Sequence, residues 1–297
     1  MKDIVRYRNR ILYYLLLVAL AAGCTKSPPY VITDPATGLP PVALTTASGD
    51  CLITKITQKN KSANSADNAF EIKRDAALVA SNISFYDSLA NKSEYNIQLV
   101  TAGDTIRLSA GGYFILNSTT KLVSYFYTLA DNTDPTSDKQ VYQYLYDANG
   151  YLVKKYLFVN GASSPYYETN YTYNNNLLSA CVVYAGAQKV KLLESSIDYD
   201  MTAARKAWIY LFPDFFEGYQ YLQALNFGKR GNYPVKNIVT KIYDVSDGSI
   251  LDTWATTFNG YVYSQDNFIL QTTAQGDLQQ GLGLLFGTTR FDYQCTK

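Results

Sequence analysis

The nine residues Tyr144-Leu145-Tyr146-Asp147-Ala148-Asn149-Gly150-Tyr151-Leu152 decide the fold. Aromatic and apolar residues run up to Asp147, whose carboxylate can bond its own following backbone. Gly150 can take a positive φ, and Tyr151-Leu152 begins a second apolar run. The stretch therefore reads as the end of one β-strand, a tight turn and the start of the next. The pattern recurs. Tyr171-Thr172-Tyr173-Asn174-Asn175-Asn176-Leu177-Leu178 repeats it 27 residues on, and a looser copy, Phe114 to Leu122, precedes it by 30. Tyr261 to Ile269 is another, and Tyr243-Asp244 with Gly248 and Ile250 is a stretched fifth.

The flanking strands alternate. Tyr167, Tyr171 and Tyr173 fall on one face and Glu168, Asn170 and Thr172 on the other, which gives an antiparallel strand with one covered and one wet face. The 28 Tyr and 13 Phe suit half-buried sheet surface better than a helical bundle. The expected fold class is all-β, an antiparallel β-meander of hairpins. One short α-helical insertion is expected over about 200–228. There Asp200 can cap a helix through Ala203, Ala204, Arg205 and Ala207, and Pro213 with Asp214 and Glu217 opens a second that Gly228 ends. This region is also the richest in aromatics. They are either the glue of a helix packed on the sheet or an exposed platform. As a platform, Trp208, Tyr210, Phe212 and Tyr219 are the candidate ligand contacts, beside Arg205, Lys206, Lys229 and Arg230.

Working outward, residues 1–23 read as a signal peptide. Lys2, Arg6, Arg8 and Arg10 precede an apolar run from Ile11 to Ala22, then Gly23-Cys24. A run of about a dozen residues falls short of the ~20 that a spanning helix needs. Ala21-Ala22-Gly23-Cys24 resembles the lipobox of bacterial lipoproteins, with Ala21 where Leu is usual, and the resemblance implies that Cys24 is lipidated and becomes the mature N-terminus. Ordinary secretory cleavage is the alternative. Residues 25–50 hold five of the nine prolines and read, with Cys24, as a tether over 24–50, leaving 51–297 as a single domain. Without residues 1–23 the 26 basic and 25 acidic side chains become 22 and 24, a formal charge of −2, so charge offers nothing to nucleic acid.

The chain has no histidine, which removes Ser-His-Asp and Cys-His nucleophiles and histidine-based zinc sites. No metal site or cofactor fingerprint is expected: the glycines of 281–287 lack the Lys-Ser/Thr of a phosphate loop. A carboxylate-pair glycosidase stays open as the alternative to a non-enzymatic protein. Of the cysteines beyond Cys24, Cys51 opens the domain and Cys295 nearly ends it. If the first and last strands are neighbours, a Cys51–Cys295 disulfide can form, with Cys181 a buried free thiol.

The string YDANGYL resembles the YD, or Rhs, repeat through Tyr146, Asp147, Gly150 and Leu152. With the lipobox and tether, the whole resembles the uncharacterised YD-like β-meander lipoproteins of Bacteroidota. The resemblance implies a domain lipid-anchored at the outer membrane that binds a glycan, peptide or envelope protein, and it transfers no catalytic residue. The flank Thr25-Lys26-Ser27-Pro28 carries no acidic residue and favours the periplasmic side, with the cell surface as the alternative. A transmembrane β-barrel, the other reading of Tyr-rich strands, is opposed by polar faces such as Glu168-Asn170-Thr172.

Overall fold

The structure, a computed structural model, describes residues 51–59, 68–75, 77–87, 92–202, 204–206, 210–214, 221, 223–277 and 287–295; the signal peptide, Cys24 and the tether lie outside the described residues. Strands follow one another as β1 (Cys51–Lys59), β2 (Asn68–Arg74), β3 (Ala80–Asp87), β4 (Lys92–Ala102), β5 (Thr105–Leu108), β6 (Tyr113–Leu116), β7 (Val123–Leu129) and β8 (Lys139–Tyr146). The second half comprises β9 (Leu152–Val159), β10 (Tyr167–Asn174), β11 (Leu177–Ala185), β12 (Val190–Tyr199), β13 (Val235–Tyr243), β14 (Ile250–Tyr263), β15 (Ile269–Gly276) and β16 (Gly287–Cys295). Each pairs antiparallel with its sequence neighbours, and β1 pairs with β16, so the sheet is a closed barrel, a closure that the expected β-meander did not include. Alternation within strands tells inside from outside, but closure depends on pairing the two ends of the domain, which local patterns do not encode. Cys51 and Cys295 are register partners at this seam and are joined by a disulfide, while Cys181 is a free, buried thiol.

The wall is apolar inside and, apart from an aromatic stretch on β4 to β9, largely polar outside. Ile56, Phe70, Ile83, Ile97, Phe114, Phe126, Cys181, Val183, Ile238 and Phe291 point inward and are almost wholly buried. Their neighbours Lys55, Glu71, Asn82, Asn170, Thr172, Glu194, Lys241 and Arg290 point outward. Eight strands enclose a space that side chains just fill, whereas sixteen leave a channel unless something occupies it. Here the connection between β12 and β13 occupies it. Tyr221 meets Phe114 and Phe126 edge-on at ring-centroid distances of 5.3 and 5.8 Å, Phe227 meets Tyr144 at 5.1 Å, and Phe212 meets Tyr171 at 5.0 Å. The Val123 N–H donates to the Asn226 carbonyl at 2.9 Å, and Ser195 Oγ donates to the Pro213 carbonyl at 2.9 Å. One segment touching β6, β7, β8, β10 and β12 from their covered sides must lie within the barrel.

Among the described residues this segment is a plug that shows no helical run. Asp200–Thr202 form a turn, and Ala204–Lys206 and Tyr210–Pro213 run as irregular chain. The second helix, expected from Pro213 toward Gly228, runs through 215–220 and 222, outside the described residues; Tyr221 is helical, and 223–228 are turn and irregular chain. Irregular backbone inside a protein needs partners for its polar groups, and the wall supplies them. Arg74 donates to the carbonyls of Gln223 (Nη2, 2.7 Å), Ala224 (Nη1, 3.2 Å), Leu78 (Nη1, 3.0 Å) and Ile53 (Nε, 3.2 Å). Burial, and then Arg230, bring its pKa down to about 10, so it stays charged at neutral pH. The Gln223 side chain accepts from the Tyr210 N–H and donates to the Tyr210 carbonyl, standing in for a strand neighbour. Deeper, Lys155 of β9 pairs with Asp214 of the plug at 2.7 Å, with both side chains almost inaccessible, and Tyr171 donates to the same carboxylate oxygen at 2.9 Å.

Five of the 28 tyrosines share one structural role at the end of the barrel where the even strands finish. Tyr146, Tyr173, Tyr199, Tyr261 and Tyr293 each donate a hydroxyl hydrogen bond to a backbone carbonyl at the opening of the preceding strand. The acceptors are Val123 (2.8 Å), Leu152 (3.0 Å), Leu178 (2.9 Å), Val235 (2.5 Å) and Ile269 (2.6 Å). Arg74 at the end of β2 makes the same reach to Ile53. Burial raises the pKa of all five phenols, so they remain donors. The turn geometry agrees with the repeats: Asp147 Oδ1 accepts from the Asn149 and Tyr151 N–H groups, and Asn175 and Asn176 both take positive φ in a two-residue hairpin.

Two measurements test this construction. Lys155→Met should cost about 3–5 kcal/mol in denaturant unfolding because it strands the Asp214 carboxylate, and Lys155→Met with Asp214→Leu should recover most of that; equal loss in both would show that the pair does not pin the plug. Tyr146→Phe and Tyr173→Phe should each lower stability by about 1 kcal/mol and add independently, since each stitches a different hairpin.

Candidate functional site

Two of the four candidate platform residues are not exposed. Tyr210 and Phe212 are each 3% exposed, so the platform reading of these two is corrected: their rings fill the barrel. Trp208 and Tyr219 lie outside the described residues. The neighbouring cations each lie over an aromatic ring, with Arg205 over Tyr263 at 3.8 Å, Lys206 over Phe268 at 4.7 Å, Lys229 over Tyr151 at 5.3 Å and Arg230 over Tyr210 at 4.5 Å. Cys181 faces the interior. Burial, then Asp214, push its thiol pKa well up, so it is held protonated and is no nucleophile.

The three glutamates whose side chains are described are each ion-paired on the outer wall. Glu71 pairs with Lys55 at 2.5 Å, Glu168 with Lys154 (3.1 Å) and Lys189 (2.9 Å), and Glu194 with Lys191 (3.0 Å) while accepting the Tyr243 hydroxyl at 2.7 Å. Glu168 and the buried Asp214 lie on opposite sides of the wall and do not face one another. Among the described residues no three acidic or cysteine side chains converge as a metal site would require.

The surface with the most distinctive chemistry is elsewhere, on the outside of β4 to β9. Because Phe114, Phe126 and Leu157 are needed inside, their strand neighbours Tyr113, Ile115, Tyr125, Tyr127, Tyr156 and Phe158 are turned out. Register aligns them. Val100, Arg107, Tyr113, Tyr127, Val141 and Phe158 are successive cross-strand partners, and Ile115, Tyr125, Gln143 and Tyr156 form the adjacent row. Tyr113 and Tyr127 stack at 4.7 Å with an interplanar angle of 11°, Arg107 lies 5.9 Å from the Tyr113 ring centroid, and Gln143 Nε2 donates to the Tyr125 hydroxyl at 3.0 Å. The close approach of β6 to β7 depends on Gly112, where φ is 82° and a Cβ would collide with the Tyr127 carbonyl oxygen. At the β2–β4 end of this wall is a groove of about 410 Å³ lined by Lys73, Ser81, Asn82, Gln98, Leu99 and Val100.

Electrostatics on this wall follow from the ion pairs. The Tyr127 phenol is raised by desolvation, then by Tyr113 and Tyr125, and Lys154 is raised chiefly by its bond to Glu168. Burial works against ionisation of Glu168, but donors Lys189, Lys154 and Asn170 outweigh it and hold the carboxyl below the usual range. The aromatic wall escaped the reading of the sequence, which followed aromatic density into residues 200–233. The signal was the doublets Tyr125/Tyr127 and Tyr156/Phe158, aromatics on the strand face that the core does not use.

No protein-family model and no curated relative matches the sequence. Among solved structures, the chain is similar to a porin-like protein from Bacteroides uniformis, with a TM-score of 0.57 and 12% identity over 82% of this chain and 98% of that one. It is also similar to a porin-like protein from Bacteroides vulgatus, with a TM-score of 0.52 and 12% identity over 82% and 99%. At this identity the likeness concerns the barrel fold alone.

Glu168→Gln should lower stability at pH 7 by about 1 kcal/mol. A carboxylate whose folded pKa is depressed stabilises above its unfolded pKa, and that contribution is lost as pH falls through the lower folded value. The wild type should therefore lose this increment in the acid limb of a pH–stability curve, and the variant should show a shallower limb; superimposable limbs would contradict the assignment.

Proposed function

We propose that the protein is a non-enzymatic envelope lipoprotein, anchored at the outer membrane through Cys24, whose filled barrel stands in water and binds a glycan, peptide or protein partner on its outer wall. One observation carries this reading: the polarity of the wall. A barrel that crosses a bilayer turns a continuous apolar band outward and, when sixteen-stranded, a polar channel inward. This barrel buries Ile97, Phe114, Val183 and Phe291 inside and exposes ion pairs such as Lys55–Glu71 and Lys191–Glu194 outside, while the plug occupies the lumen. Charges like these on a lipid-facing wall would each cost several kcal/mol near the bilayer centre. The likeness to porin-like proteins of Bacteroides supports an envelope setting and the barrel architecture, and the lipobox supplies the means of attachment. The outer aromatic wall, not the 200–233 insertion, is the contact surface.

The decisive experiment separates anchoring from spanning. In the native host, Cys24→Ala should release the full chain from the membrane fraction without detergent or stall its processing, and mass spectrometry of the wild-type mature N-terminus should find acylated Cys24. A Cys24→Ala protein that is processed yet stays in the membrane, extractable only by detergent, would show that the barrel itself spans.

A further inference from the structure

We propose that the outer wall from β2 to β9 binds an acidic polysaccharide, a chain of uronate-type sugars lying across the strands. This rests on the reading of that wall as water-facing. The first argument is charge. The mature chain is formally negative, yet the outward side chains on β5 to β9 include Arg107, Lys139 and Lys154 and no carboxylate, and Glu71, outward on β2, is paired with Lys55. Of the acidic residues of that region, Asp104, Asp131, Asp134, Asp138 and Asp147 lie in the turns, and Glu94 lies within β4. Glu168 at the edge of the wall is answered by two lysines.

The second argument is the kind of contact offered. Tyr113 and Tyr127, both outward and partly exposed, stack at 4.7 Å across neighbouring strands, and each carries a hydroxyl able to donate. The Tyr125 hydroxyl, having accepted the Gln143 amide, is itself a donor. Arg107 adds a planar fork of N–H groups suited to a carboxylate. The wall is thus a field of donors over an apolar base, matched by a ligand with closely repeated acceptors and negative charge. The third argument is shape. Aligned residues run at right angles to the strands, from the groove beside Lys73 and Gln98 through Arg107 to Phe158. At ~4.8 Å between strands, β4 and β9 are about 24 Å apart along the wall, room for roughly five sugar rings in line.

The test uses the detergent-solubilised full-length protein with oligogalacturonates of two and six units, polygalacturonate, and dextran as the neutral control. The hexamer should bind at least about tenfold more tightly than the dimer, dextran should not compete, and affinity should fall as salt rises. Arg107→Gln should weaken polygalacturonate binding about tenfold, the loss of one charge-assisted hydrogen bond, with unchanged circular dichroism. Tyr127→Phe, which keeps the stack and removes a hydroxyl, should weaken it several-fold. Equal binding of dextran, unchanged affinity in folded Arg107→Gln, or no binding of polygalacturonate would overturn the proposal. To tell its failure from that of the underlying reading, Tyr127→Cys in the full chain is displayed on lipid vesicles and treated with a bulky water-soluble maleimide. Labelling without polymer binding rejects the polysaccharide alone; absence of labelling rejects the water-facing wall as well.

Discussion

A wall of sixteen strands encloses more volume than its own side chains can fill, and everything else in this molecule answers that constraint. A membrane pore meets it by leaving the lumen wet and turning apolar residues toward lipid. This chain meets it by sending the β12–β13 connection into the lumen. The aromatics of that connection, Tyr210, Phe212, Tyr221 and Phe227, are core residues supplied from outside the sheet, and the wall can be apolar inward because they are there to pack against. Arg74 and the Lys155–Asp214 pair are the cost of the same arrangement. A strand satisfies its backbone in the ladder, but an irregular segment in the lumen must find donors and acceptors one at a time.

The tyrosines belong to a second, repeated solution. The five even strands from β8 to β16 each carry near their ends a phenol long enough to reach a carbonyl at the opening of the preceding strand, so this part of the rim is stitched hairpin by hairpin at the places where a sheet would otherwise fray. A phenylalanine would fill the same space without the bond, which accounts for Tyr at these five positions.

Much of this was legible in the sequence, and the rest was hidden for physical reasons. Strand alternation and the Asp147–Gly150 turn chemistry are local, and they read correctly. Two stitches were overlooked, Ile197-Asp198-Tyr199 and Phe291-Asp292-Tyr293, because no short turn follows them: one leads into the plug and the other into the chain end. The helix expected from Asp200 rested on a capping residue, and the described residues 204–206, through which it would run, are irregular chain. Lys155 and Asp214 are 59 positions apart and look like ordinary surface residues until the barrel closes around them. The aromatic wall was missed because density drew attention away from alternation.

The seam has a mechanical meaning. Any load that reaches the domain through the residues preceding Cys51 arrives at the first residue of β1, and a strand pulled from its end at a sheet edge would peel away one hydrogen bond at a time. This barrel has no edge, and Cys51 is covalently tied to Cys295, the last residue of β16. Tension therefore divides at once between two adjacent strands that run along the pull and are each paired on their other side, with β2 and with β15. To extract either, the bonds on its flanks must slide together rather than open in sequence. The point where the fold is most exposed to being unravelled is thus loaded in shear.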